Sequence, residues 1–217
     1  MADILNFKLK YPLLYSLYLI IVWTAYRLSG ITVPEAFDEF LVKPVIWLLP
    51  VIFLVKRQKN WVKSLGITQA NLSPGIYLAV VLGLIFAVEA AGVAYIKRGG
   101  LDFSRSIAER RYVYFLFISL GTAVSQELVF RGYLFNRFWG FFKKEIWASL
   151  VTSLLWVIIH IPASIALLGY GSRDAVSFLL IVFLYSVGAC FIFARTRNIF
   201  STILLFILWE ASLVLFG

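Results

Sequence analysis

The sequence predicts an all-α protein, a bundle of helices crossing a lipid bilayer, and three observations predict it. Hydrophobic residues make up 62% of the 217 and charged residues 14%, against about half and about a quarter in a soluble domain. Apolar runs recur along the chain at close to the roughly 20 residues that a helix needs to cross the hydrocarbon core. Lys and Arg gather in the short connectors between these runs, and 20 basic residues outnumber 11 acidic ones for a formal net charge of +9. Basic residues so placed set membrane orientation, and the charge is therefore not read as nucleic-acid binding. The one cysteine, Cys190, lies in an apolar run; it reads as a packed small hydrophobe, with no internal disulfide and no cysteine-based zinc site.

The first span is expected at 11–28, with Pro12 in its first turn and Arg27 and Ser29-Gly30 at its end. A polar connector at 31–43 carries Glu35, Asp38 and Glu39, and a second span at 41–55 is interrupted by Pro44 and Pro50, which tilt or kink it. The basic turn Lys56-Arg57-Gln58-Lys59-Asn60 closes this first pair. Residues 61–72 read as a helix lying in the interface, with Trp61 at headgroup level. A third span at 76–95 holds Glu89, and a connector of both charge signs at 96–111 leads to a fourth at 112–135. The fifth, 146–161, ends at His160-Ile161-Pro162; the loop 169–174 precedes the sixth, 176–193. After the turn Arg195-Thr196-Arg197-Asn198 the last span, 199–216, carries Glu210.

Seven spans result, or eight if 61–72 or the region of Ile31 dips into the bilayer. No repeat or low-complexity tract interrupts them, so residues 1–217 read as one transmembrane domain. No short apolar region with a small-residue cleavage site opens the chain, and the first span is expected to stay as an anchor. The connectors on the N-terminal side (8–10, 56–63, 137–144, 195–197) hold more Lys and Arg than those opposite. That bias puts the N terminus in the cytoplasm, and the plasma membrane is the expected location.

Polar groups at membrane depth are costly and mark function or pairing. The stretch Ser125-Gln126-Glu127-Leu128-Val129-Phe130-Arg131 puts an amide, a carboxylate and a guanidinium into an apolar segment. Glu127 and Arg131 are four residues apart and stack on one helical face, where a structural ion pair is the plain alternative to chemistry. His160 is the only histidine; a neutral imidazole there can hold a water or donate to an oxyanion, or simply be a satisfied core residue. Glu89 reads equally as a helix-packing hydrogen bond or a cavity wall, and Glu210 lies in a span with no basic partner of its own.

Gln126-Glu127-x-x-x-Arg131, continued by Gly132-Tyr133-Leu134-Phe135, resembles the first motif of the CAAX prenyl endopeptidase and bacteriocin-processing (CPBP, or Abi) family, usually Glu-Glu-x-x-x-Arg. Trp156-Val157-Ile158-Ile159-His160 resembles the second, an aromatic residue four before a histidine. The third, His-x-x-x-Asn, falls by position on Phe206 and Glu210. The resemblance covers 108–217, the expected catalytic core. It implies a glutamic-type intramembrane endopeptidase in which a glutamate and the second-motif histidine activate water against a peptide carbonyl. The third-motif residues then stabilise the oxyanion. The catalytic set carried over is Glu127, His160, Gln126, Arg131 and Glu210, with Phe206, Glu89, Phe130 and Trp156 lining the substrate cavity. The implied partners are membrane lipid and a peptide or protein substrate, lipidated or not.

Two departures qualify this. Gln126 stands where the first acid belongs and cannot take a proton; Phe206 stands where a histidine belongs and cannot donate. Glu210 stands at the asparagine position. Either amide and carboxylate have changed places, so that Glu127 or Glu210 is the base, or the protein is an inactive relative that binds or protects a membrane partner. A transporter is disfavoured for want of an inverted repeat. No cofactor and no metal are expected, since one histidine with carboxylates alone makes a poor zinc site.

Overall fold

The computed structural model describes residues 9–100, 111–162, 164 and 172–216. The greater part of the mixed-charge connector and the start of the loop at 169–174 lie outside the described residues. All regular structure among those described is helical. Helix α1 is Lys10–Leu28. A short α2, Glu35–Phe37, runs through two wide π-type turns, Asp38–Val42 and Pro44–Leu48, into α3, Leu49–Val55. After the single turn of α4, Trp61–Ser64, come α5 (Leu72–Arg98) and α6 (Arg111–Glu127). A π-helix, Leu128–Phe135, joins α6 to α7, Asn136–Phe142. The bundle is completed by α8 (Glu145–Pro162), α9 (Ser172–Thr196) and α10 (Ile199–Phe216).

Among the described residues, five helical stretches are long and apolar enough to cross a membrane: Leu72–Ile96, Val113–Phe142, Glu145–Pro162, Asp174–Thr196 and Ile199–Phe216. They coincide with the last five expected spans. The first two expected spans are helical as well, though the second is pieced from short segments. Pro44 opens the second of its π-type turns, where its missing N–H removes a ladder bond and the backbone widens instead of kinking sharply.

The expected interface helix at 61–72 is corrected to one helical turn followed by a loop. Gly66 adopts φ +82°, and a Cβ there would lie 2.6 Å from a ring carbon of Phe193. The loop is held by tertiary bonds rather than its own helix: Ile199 N–H donates to the Gly66 carbonyl at 2.9 Å.

Helix α10 runs along α5 and touches α6 and α9; α8 packs on α9 and on α1; the Asp38–Val42 turn packs on α6. The α5–α10 approach depends on Gly83, where a Cβ would stand 2.8 Å from Leu208 Cδ1.

One end of the bundle is stitched by polar bonds between connectors. Asn198 Nδ2 donates to the carbonyls of Thr68 (2.8 Å) and Ala70 (2.9 Å), while its Oδ1 accepts from Phe200 N–H (2.9 Å) and so caps α10. Arg197 donates to Asn136 Oδ1, Asn136 to the Ser64 carbonyl and Arg137 to Gln58 Oε1, at 2.6, 2.7 and 2.7 Å. Arg195 pairs with Glu145 at 2.7 Å. The C-terminal ends of α1, α8 and α10 and the start of α6 therefore share the opposite end, and the cavity described below lies in that half.

Candidate active site

The first motif is divided by helical geometry. Ser119, Thr122 and Gln126 follow one face of α6 at intervals of three and four residues. They look toward the 38–48 segment and α10. Glu127, about 100° further round, looks the other way. It is fully buried (0% exposed), its Oε1 accepting from the Tyr185 hydroxyl at 2.8 Å and pairing with Arg131 Nη1 at 3.1 Å. Arg131, also 0% exposed, lies over the Trp156 ring at 4.4 Å and reaches the Ser186 carbonyl at 3.4 Å. An aromatic wall seals this pair: Phe130 meets Trp156 edge-on at 4.7 Å, and Tyr185 stacks on Trp209 at 4.3 Å.

Gly132 fits this ion pair to its surroundings. A Cβ there would lie 2.7 Å from the Leu65 carbonyl oxygen, so the π-helix can press against the 61–72 loop only without a side chain.

On the other side of Trp156 a cavity of about 210 Å³ opens, large enough for several waters. Gln126, His160 and Glu210 all line it, together with Thr122, Glu39 and Lys43. Glu210 accepts a short hydrogen bond from the Ser119 hydroxyl, which fixes its carboxylate. Gln126 Oε1 is buried and has no donor among the described residues. His160 Nδ1 lies 2.7 Å from the Trp156 carbonyl. A carbonyl accepts only, so Nδ1 carries the proton and Nε2 is left as the acceptor.

The sequence-predicted residues thus fall into two groups. Gln126, His160 and Glu210 are brought together on one cavity; Glu127 and Arg131 are not, and form a sealed pair behind Trp156. The four residues expected to wall a substrate cavity lie elsewhere than on this one. Phe206 is 1% exposed and wedged against Tyr185 (5.6 Å) and Trp209 (5.8 Å). Phe130 and Trp156 are fully buried in the partition, and Glu89 stands half-buried on α5, so none of the four lines this cavity.

Further charged residues that line it, Glu35, Glu39 and Lys43, come from the stretch expected to be a polar connector. Glu39 Oε2 accepts from Thr122 Oγ1 at 2.5 Å and from the Lys43 ammonium in a short contact. Beside it Asp38 pairs with Arg27 at 2.8 Å and accepts from the Tyr26 hydroxyl at 2.8 Å, tying this stretch to α1. The signal was present in the spacing Glu39-x-x-x-Lys43, an i, i+4 acid–base pair running into an apolar span. Among the described residues, no group of three His, Cys, Asp or Glu is arranged to hold a metal ion.

Fold and cavity together define an integral membrane protein with a carboxylate, an amide and an imidazole converging inside the bundle. Residues 108–212 match the family model described as Type II CAAX prenyl endopeptidase Rce1-like, in agreement with the resemblance of the same stretch to the CPBP (Abi) motifs. The match points to a CAAX-type protease, acting on a peptide or protein in a membrane setting. Neither the search of curated proteins nor that of solved structures returns a match.

Proposed function

We propose that the protein is an intramembrane endopeptidase in which Glu210 is the general base, His160 orients the water and Gln126 holds the substrate carbonyl. The observation that carries this is the sharing of one cavity by these three while Glu127 is sealed from it. A water that donates one hydrogen to Glu210 and the other to His160 Nε2 keeps a lone pair free for attack. As its oxygen bonds to the peptide carbon, the C=O π pair moves onto the carbonyl oxygen and Glu210 takes the water proton. Collapse re-forms the carbonyl, breaks the C–N bond and returns that proton from Glu210 to the departing nitrogen. The products are a new carboxyl and a new amine. On this reading amide and acid have changed places relative to the family motif, and Glu127 is the counter-ion of Arg131.

The charge of the stitched end supports an N-terminal side in the cytoplasm, with the cavity half facing away from it; the membrane we propose is the plasma membrane. Residues 108–217 supply the base, amide and imidazole, within a single transmembrane domain.

The test is cleavage of a membrane-anchored reporter peptide in proteoliposomes. Glu210→Gln and His160→Ala should each lower kcat by about 10²–10⁴-fold. The exchange Gln126→Glu with Glu210→Asn should restore much of what Glu210→Gln loses, because it returns the acid to the other side of the same cavity. Full activity in Glu210→Gln sinks the assignment. Wild-type protein that cleaves no faster than any variant would favour a partner-binding, immunity-type role instead.

A further inference from the structure

A peptide hydrolase must stabilise the oxyanion, and in the family pattern the third motif provides for that with a histidine. Here the position is Phe206, whose ring is locked among Tyr185 and Trp209 and has nothing to donate. His160 cannot substitute through Nε2, because its proton is committed to the Trp156 carbonyl on Nδ1. With Glu210 as base, the cavity retains the Gln126 amide and needs a second, preferably charged, donor.

Lys43 meets the requirement. It is 3% exposed, yet it lines the same cavity as Gln126, His160 and Glu210. Its ammonium is tethered to Glu39 Oε2, which is itself fixed by Thr122. It sits 5.7 and 5.9 Å from the ring centroids of Trp23 and Trp47, so two aromatic faces confine it as well. An ammonium has three donors and Glu39 takes one, leaving two for a ligand. A buried ion pair whose cation faces a cavity is preorganised in the manner that electrostatic stabilisation of developing charge requires.

We propose that Lys43 is the oxyanion-stabilising residue, replacing the absent third-motif histidine with a cation from outside the family-matched stretch. The inference rests on the hydrolytic reading above. As the C=O pair moves onto oxygen, the new negative charge is held by the Lys43 ammonium and the Gln126 amide, and both are released when the C–N bond breaks. No proton leaves Lys43.

The experiment uses the full chain in detergent micelles. Two probes are needed: reporter peptides ending in a free carboxylate or a carboxamide, and a peptidyl phosphinate, a tetrahedral anion, compared with its parent peptide. Lys43→Met should lower kcat by about 10²–10³-fold with KM little changed for both peptide ends. Preference for the phosphinate over the parent peptide should fall by a similar factor, and Lys43→Arg should recover part of both. Because a lone buried Glu39 could unfold the single variant, the pair Glu39→Gln with Lys43→Met is measured beside it, with its unfolding temperature.

Phosphinate preference kept intact while kcat falls would reduce Lys43 to a structural tether. A KM rise confined to the carboxylate-ended peptide would make it a substrate anchor; either overturns the proposal. Cleavage that needs Glu210 but not Lys43 overturns this inference alone. A wild-type protein that neither cleaves nor prefers the phosphinate overturns the hydrolytic reading with it.

Discussion

Gln126 and Glu127 are adjacent in the chain and belong to different neighbourhoods, and their separation governs what each can do. Glu127 neutralises Arg131 in a site closed to water, where removing one partner leaves an uncompensated charge. Glu127→Gln should therefore cost about 3–5 kcal/mol of stability, measured by denaturant titration in mixed micelles. Adding Arg131→Met to that variant should recover much of the loss, since a buried ion pair replaced by apolar groups is often neutral. Cleavage per folded molecule should survive in the double variant; its disappearance would return Glu127 to the chemistry. From the sequence, the i, i+4 spacing revealed the pair and the lone histidine stood out at a helix end. The sealing was not legible, because it depends on Tyr185 and Trp156, which reach Glu127 and Arg131 only through tertiary packing. The tautomer of His160 was likewise invisible until its distance to the Trp156 carbonyl was known.

At the scale of elements, the π-helix and the 61–72 loop form one joint. Gly132→Ala would drive a methyl against the Leu65 carbonyl, a backbone atom that cannot swing aside, and should destabilise by about 1–3 kcal/mol. The unfolding temperature is the readout, with Gly92→Ala, where a Cβ meets nothing within 4 Å, as the comparison. Asn198→Ala removes two donors to loop carbonyls and the cap of α10 together, and should cost about 2 kcal/mol or more. The most instructive misreading lies at 31–43. Charge at 31–43, with Pro44 and Pro50 beyond it, made this region look like a connector and a broken span, and local signals could go no further. Its folding into wide turns against α6 is what puts Glu39 and Lys43 on the cavity. Helical periodicity gives no warning of a π-turn, because the inserted residue shifts every later side chain around the axis.

The class of the whole molecule followed from composition alone, since no soluble core could employ so apolar a chain. The positions of the last five spans followed from run length. Which polar residues would meet was beyond reach, because that depends on contacts such as α1 with α8 that no local pattern encodes. Orientation is open to a direct test. Cys190 is fully buried, so engineered thiols can be read against a silent background. Lys59→Cys at the stitched end should react only with a membrane-impermeant maleimide supplied from the cytoplasmic side, and Thr32→Cys only from the other. The reverse pattern would turn the bundle over.

The cavity wall has two origins in the chain. Gln126, His160 and Glu210 come from the family-matched stretch, whereas Arg27, Glu39, Lys43 and the two tryptophans beside them come from the first fifty residues. On the hydrolytic reading, base and oxyanion donor are therefore encoded by two separate pieces of gene. Grafting the leading segment of a related protein onto this trailing one should keep the cutting in place only where that segment brings a cation to the position of Lys43, so the two pieces must diverge together.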